Sequence, residues 1–278
     1  MTNMTTPFMP KQAISFDGAL LQELQGDVSD AIARDLLQDL PTLTASSVIH
    51  DNGCGYGAVT LAVMKLNTGS HVYATDVNPM FMAQLQANLA DHPEWPVKVE
   101  TMDACNLTFP DSSFDLSLTT FVFAGLENDV AAASHILRTL KPSGTGIIAV
   151  WKDMPWHVAL ENAHYKTRGA EEPMAPFLSK SWYRKEKLNQ VITDAGWKDV
   201  QFMEKAAWLS LGPDLKRWAR IAWTFLATPV GGWQQRDEDK WDKAIDGIAE
   251  ELEKCQWHKL EDGVHKIRML ADVAILAR

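Results

Sequence analysis

The residues best placed to do chemistry lie at the ends of three consecutive apolar runs. The first run, Ser47-Val48-Ile49-His50-Asp51, passes into Asp51-Asn52-Gly53-Cys54-Gly55-Tyr56-Gly57 and then into helix formers, Ala58 to Leu66. Glycines at such a turn let the backbone approach a ligand closely, and the following helix start offers free amide N–H groups. The second run, His71 to Thr75, ends in Asp76, where a carboxylate can accept hydrogen bonds from both hydroxyls of a ribose. The third, Val97 to Met102, is followed by Asp103 and Ala104. Either aspartate alone reads equally as a turn or helix cap. Two at successive strand ends beside one glycine loop read as the walls of a nucleoside site.

A second constellation follows residue 150. His157, Glu161 and His164 stand at i, i+4 and i+7, one helical face. They read either as a general base with a carboxylate to orient it or as a solvated polar face. Asp153 is a further candidate base. Tyr56 either stacks on a ligand or lines the pocket, and Cys54 reads as a small buried filler rather than a reactive thiol. Eleven tryptophans and eleven methionines are many for 278 residues. Trp208, Trp218, Trp223, Trp233 and Trp241 fall late in the chain. There they serve either as the core of a helical subdomain or as the lining of a pocket for an apolar molecule.

These groups need a frame. From Val48 to Val150 short apolar runs alternate with helical patterns, which predicts a parallel sheet with crossover helices. The expected strands are 47–51, 71–76, 97–102, 114–120 and 146–151, with helices over 58–66, 79–90 and 130–140. Pro79 suits a first helical turn. Further on, a helix over 185–195, a strand over 200–209 and a closing strand over 264–277 are expected. The segment between those strands, 212–262, is helical in pattern over 214–226 and 237–254, and is too long for a turn. The expected organisation is an N-terminal helical lid over 1–45, a core over 46–210 and 263–278, and an inserted helical cap over 211–262.

Composition excludes several classes. The chain is 46% hydrophobic and 22% charged, as expected of a globular protein with a substantial core. Its formal charge of −10 and the lack of a basic stripe argue against a nucleic-acid substrate. No apolar run approaches the roughly 18–20 residues that cross a bilayer. The N-terminus shows no charged-then-apolar leader. Three scattered cysteines, Cys54, Cys105 and Cys255, support neither a disulfide framework nor a metal cluster. A cytoplasmic protein without metal is expected.

The glycine spacing separates two cofactors. A dinucleotide site calls for G-x-G-x-x-G, whereas this chain has G-x-G-x-G after an acid, which disfavours a nicotinamide-dependent dehydrogenase. The pattern resembles motif I of the class I S-adenosylmethionine-dependent methyltransferases, D/E-x-G-x-G-x-G. Asp76, Asp103-Ala104, Phe114-Asp115-Leu116-Ser117-Leu118 and Leu140-Lys141-Pro142-Ser143-Gly144-Thr145 resemble that family's later motifs in order and spacing. Ser143 stands where glycine is commoner. The resemblance implies a Rossmann-like α/β fold with a mostly parallel seven-stranded sheet and helices on both faces. It implies S-adenosylmethionine as cofactor, with Asp51 and Gly53 near its methionine moiety and Gly55 and Gly57 giving backbone approach. It likewise implies Asp76 on the ribose, Val77 against the adenine face, and Asp103 and Ala104 at the adenine edge. Thr119 and Thr120 would face the sulfonium end. The core-plus-cap layout is loosely similar to fungal secondary-metabolite methyltransferases, some of which S-methylate dithiols. The expected acceptor is thus a small, largely apolar molecule. The alternative is a protein of this fold that binds the cofactor without transferring methyl, closing a ring or regulating a partner.

Overall fold

The computed structural model describes residues 7–15, 18–40, 42–179 and 185–278. Helices α1 (Gly18–Gln25) and α2 (Val28–Gln38) lead into β1 (Val48–Asn52), α3 (Ala58–Lys65), β2 (His71–Asp76), α4 (Pro79–Leu89), β3 (Val97–Thr101) and β4 (Phe114–Thr120). Then come α5 (Asp129–Thr139), β5 (Leu140–Asp153), α6 (Pro155–Arg168), α7 (Lys185–Asp194) and β6 (Asp199–Gly212). Helices α8 (Leu215–Leu226), α9 (Gln235–Asp239) and α10 (Trp241–Lys254) precede β7 (His258–Glu261) and β8 (Val264–Ala277). None of these helices is long and apolar enough to cross a membrane.

The strands follow the order β3-β2-β1-β4-β5-β8-β6, and β7 adds to β8 as an antiparallel hairpin. β1 pairs in parallel with β2 and β4, β2 with β3, and β4 with β5. The predicted Rossmann-like sheet is therefore present, with eight strands rather than seven. The hairpin strand β7 was not foreseen, because His258–Glu261 is short and polar and only its pairing with β8 makes it a strand. β5 begins at Leu140, earlier than expected. The turn-like residues Pro142–Gly144 run within it, past a register shift between Phe114 and Leu116. Ser143 adopts φ 70 there, the left-handed conformation that the commoner glycine would take without strain. The helix expected over 237–254 breaks at Lys240, which ends α9 and begins α10.

Packing divides the chain into two units. One comprises residues 29–152, 181–206 and 270–278; the other comprises 1–28, 153–180 and 207–269. In the sheet-bearing unit the apolar side chains of Phe114, Phe123, Ile136, Ile148, Leu188 and Ile192 bury one sheet face beneath α5 and α7. Trp197 joins that core, and its indole N–H donates to the Ala133 carbonyl at 3.1 Å. In the helical unit α10 packs on α6 and α8, with Trp218, Trp223 and Trp241 fully buried. The division differs from the expected boundaries in two ways. Helix α1 and nearly all of α2, both within the expected lid over 1–45, fall in different units. Helix α6 groups with α8–α10, because its apolar face (Trp156, Ala159, Leu160, Ala163) is buried against α10.

Candidate cofactor-binding site

The glycine loop leaves β1 at the edge shared with β2. Gly53 and Cys54 both donate their N–H to the Thr75 carbonyl, at 2.8 and 2.9 Å, so the loop is tied to the neighbouring strand. Gly53, Gly55 and Gly57 have φ of 74, 52 and 96, a region costly for any residue with a Cβ. Their surroundings differ. A Cβ at Gly53 would run into Val122, and one at Gly57 into Leu85 of α4. A Cβ at Gly55 would meet nothing within 4 Å. Gly53 and Gly57 are thus required by protein packing, whereas Gly55 borders open space.

Asp76 faces that space. One carboxylate oxygen accepts the Gly55 N–H at 2.9 Å and the other the Asn78 N–H at 2.8 Å. Both amides hold the carboxylate at the loop, and each oxygen keeps lone-pair capacity for a further donor. Val77, next along, is 61% exposed, an open apolar surface of the kind a flat base covers. Asp103 caps the short 3-10 turn Ala104–Asn106 by accepting from Cys105 N–H at 2.9 Å through one carboxylate oxygen; Ala104 is buried. Each aspartate therefore does serve as a cap, and the cap is what fixes its carboxylate at the strand end.

Asp51 stands on β1 just before the loop. It is buried, and a single carboxylate oxygen accepts both the N–H and the hydroxyl of Thr60, at 2.9 and 2.6 Å. Burial pushes its pKa up to about 6, against the lowering effect of those two bonds and with a further push from Asp76. Asp51 thus ties the first turn of α3 to β1 and sets the pitch of the loop between them. Cys54 is buried, its thiol pushed well above the usual range by burial and by Asp51 and Asp76, as expected of a filler. Tyr56 tilts against Phe81 with ring centroids 4.5 Å apart, so it lines the loop against α4.

On the sheet face beneath α5 a seam of polar side chains runs under the loop. His50 meets the Thr75 hydroxyl at 2.9 Å, and Asn52 donates to the Thr119 hydroxyl at 3.2 Å. Burial lowers the His50 pKa to about 3, so the ring is neutral. The Asn52 carbonyl oxygen is buried without a hydrogen-bond partner. Thr119 is wholly buried and Thr120 half-buried at the end of β4. Neither Asn52 nor the residues after β4 stand out by type or spacing in the sequence. Their place beside the loop comes from the register of β1 on β4. Gly55 bordering open space, the held carboxylate of Asp76, exposed Val77 and the orphaned Asn52 oxygen fit a nucleoside with a polar tail.

His157 belongs to the helical unit. Its Nδ1 lies 3.6 Å from Glu161, and burial lowers its pKa while Glu161 raises it. His164 does not join them. Its Nδ1 pairs with Arg168 at 3.2 Å and its Nε2 with the Glu172 carbonyl at 3.1 Å, which makes it a structural residue.

Comparison with known proteins agrees with this geometry. Residues 50–148 match a family model described as a methyltransferase domain. The 2-methyl-6-phytyl-1,4-hydroquinone methyltransferase of Synechocystis sp. is 29% identical over 112 residues, 40% of this chain and 34% of that protein. The ribosomal RNA large subunit methyltransferase G of Colwellia psychrerythraea is 26% identical over 147 residues, 48% of this chain and 36% of that protein. The chain thus spans only about a third of the length of these relatives. Among solved structures, the YcgJ protein from Bacillus subtilis superposes with a TM-score of 0.58 at 14% identity, covering 89% of this chain and 98% of its own. That likeness concerns the fold.

Proposed function

We propose that this chain, whose residues 50–148 match a methyltransferase domain, transfers a methyl group from S-adenosylmethionine to a small, largely apolar acceptor. One observation carries the reading: Gly55 borders open space while its N–H is bonded to Asp76, beside exposed Val77. Asp76 would accept the ribose hydroxyls, Val77 would cover the base and Asp103 would meet its edge. Asn52 and the polar end of β4 would face the methionine portion. When bound, S-adenosylmethionine supplies an electrophilic methyl on a sulfonium. The protein's part is to orient the two partners and exclude water, which can account for roughly 7–11 kcal/mol of a barrier.

A small acceptor is favoured over nucleic acid by the formal charge of −10, although two similar proteins are ribosomal RNA methyltransferases. A thiol is favoured over a hydroxyl because His164 is taken up by Arg168 and the Glu172 carbonyl, which leaves few groups on α6 to act as the base a hydroxyl needs. A thiol titrates near pH 8.5 and needs little help. The test is calorimetric titration with S-adenosylhomocysteine, and then formation of S-adenosylhomocysteine from supplied S-adenosylmethionine on adding thiol or hydroxyl acceptors, which become methylated with loss of a proton. Affinity without such formation for any acceptor would leave the chain a binding protein and overturn the transferase reading. If a thiol is the nucleophile, His157→Gln slows turnover by less than about tenfold; loss of a true base would cost about 10²–10⁴-fold.

A further inference from the structure

Just past Thr119 and Thr120 the chain does something costly. Phe121 sits at φ 62, where a bulky side chain is an outlier. Its N–H donates to the Ala149 carbonyl of β5 at 2.8 Å, which extends the β4–β5 ladder by one bond. The bend sends Val122 onto Gly53, the one glycine of the loop whose missing Cβ makes room for it. It also lays the Phe121 ring on Trp151, with centroids 3.8 Å apart and planes 6° from parallel. Near-superposed rings are the arrangement that ring quadrupoles disfavour relative to offset or edge contacts. The turn therefore imposes the stack. Backbone strain of this kind gathers where a site is preorganised.

Both rings are only partly buried: Phe121 directly follows Thr120 at the exit end of β4, and Trp151 lies on the adjacent parallel strand β5, two residues past Ala149, the partner of Thr120. The same left-handed residue fixes the glycine loop through Val122 and the aromatic stack through its ring. One device thus sets the spacing between the cofactor loop and a flat apolar wall. We infer that Phe121 and Trp151 are the seat of the acceptor, and that the acceptor presents a flat conjugated ring. The inference rests on the methyltransferase reading of this same site. A ring laid on the pair continues the stack, and its substituent is then carried beside Thr119 and Thr120. A saturated ring of equal size loses that contact because it is puckered and lacks a π-face.

The test uses the full chain saturated with S-adenosylhomocysteine and 2-naphthol as probe, with decahydro-2-naphthol as the saturated control. Calorimetry is expected to show the flat probe bound about tenfold more tightly than the control, the size of a good aromatic contact. Trp151→Leu and Phe121→Gly each erase that preference, and Trp151→Phe restores most of it. Glycine adopts the left-handed conformation freely, so Phe121→Gly keeps the turn and removes only the ring. S-adenosylhomocysteine affinity stays within a few-fold in every variant. Equal binding of the two probes by the wild type, or naphthol affinity unchanged in both ring-deleting variants, overturns the inference while leaving the methyltransferase reading intact. So does a pattern in which the variants lose S-adenosylmethionine but not S-adenosylhomocysteine, since the rings would then serve the sulfonium. Failure of S-adenosylhomocysteine to bind the wild type at all overturns the reading beneath it.

Discussion

Asp51 and Asp76 are both acids beside one glycine loop, yet the structure gives them different work. Asp76 presents its carboxylate at the open side of Gly55, held by two amides. Asp76→Ala removes a charged acceptor for two hydroxyls, at about 1.5–3 kcal/mol each, and so lowers S-adenosylhomocysteine affinity by at least tenfold; isothermal titration reads this directly. Asp51 is buried on Thr60, with its pKa raised to about 6. An acid whose folded pKa lies above its unfolded value stabilises the fold fully below the unfolded value, near 3.8. That contribution is lost as pH rises through about 6. The stability of the wild type relative to Asp51→Asn therefore falls by about 2 kcal/mol between pH 4 and pH 7. Urea denaturation across that range measures it, and a flat difference would show that Asp51 is not held as a buried acid. His50, neutral and buried, has the opposite sign: its stabilisation is lost as pH falls below 6.5 toward 3. It is common to both proteins and cancels in the difference. That Asp51 is an acid before the glycines was plain in the sequence. That its oxygen is taken by Thr60 was not, because the bond exists only once α3 has folded back on β1.

At the scale of the element, the loop and its helices make a comparison between two glycines informative. Gly55→Ala meets no neighbour, so its cost to the fold is only that of the left-handed backbone, about 1–2 kcal/mol. It nonetheless places a methyl group in the space a ligand would occupy, and cofactor affinity drops by an order of magnitude or more. Gly57→Ala carries the same strain and also drives a Cβ into Leu85, a wholly buried residue of α4. Its loss is mainly one of stability, larger than that of Gly55→Ala. Thermal melts and calorimetry on the two variants separate the effects; equal profiles would mean the loop has no distinct open side. The G-x-G-x-G pattern marked all three glycines alike, since each needs positive φ. Which one faces ligand and which face protein depends on Leu85 and Val122, residues far along the chain.

For the whole molecule, the helical unit turns on one buried ion pair. Arg168 Nε meets Asp237 at 2.7 Å, both side chains almost wholly buried, and its guanidinium lies over Trp223 and Trp233 at 4.5 and 5.2 Å. It also donates to the Ala227 carbonyl at 2.9 Å. Asp237→Ala strands a buried cation and is expected to cost about 3–5 kcal/mol, whereas Arg168→Met combined with Asp237→Leu recovers most of it. Chemical denaturation decides; a mild single variant would show that the pair is solvated. Of the late tryptophans, Trp218, Trp223, Trp233 and Trp241 are buried in the helical unit, in line with one of the two readings open from the sequence, whereas Trp208 is exposed. Excising 212–262 would strip α8 and α10 from α6 and expose the apolar face of Trp156, Leu160 and Ala163.

The sequence by itself determined the parallel sheet, the glycine loop and the two strand-end aspartates. Each of these is written in local period, in residues fit for positive φ, or in acids at the end of β-branched runs. Strand 114–120 and helices 79–89 and 185–194 were legible within a residue or two for the same reason. Only the tertiary structure decided the rest. It brought Thr60 to Asp51, Val122 to Gly53, Phe121 to Trp151 and α6 to α10, and it made a strand of His258–Glu261. Each of these depends on which segments meet after the chain has crossed over, and a local pattern carries no information about a partner chosen by packing.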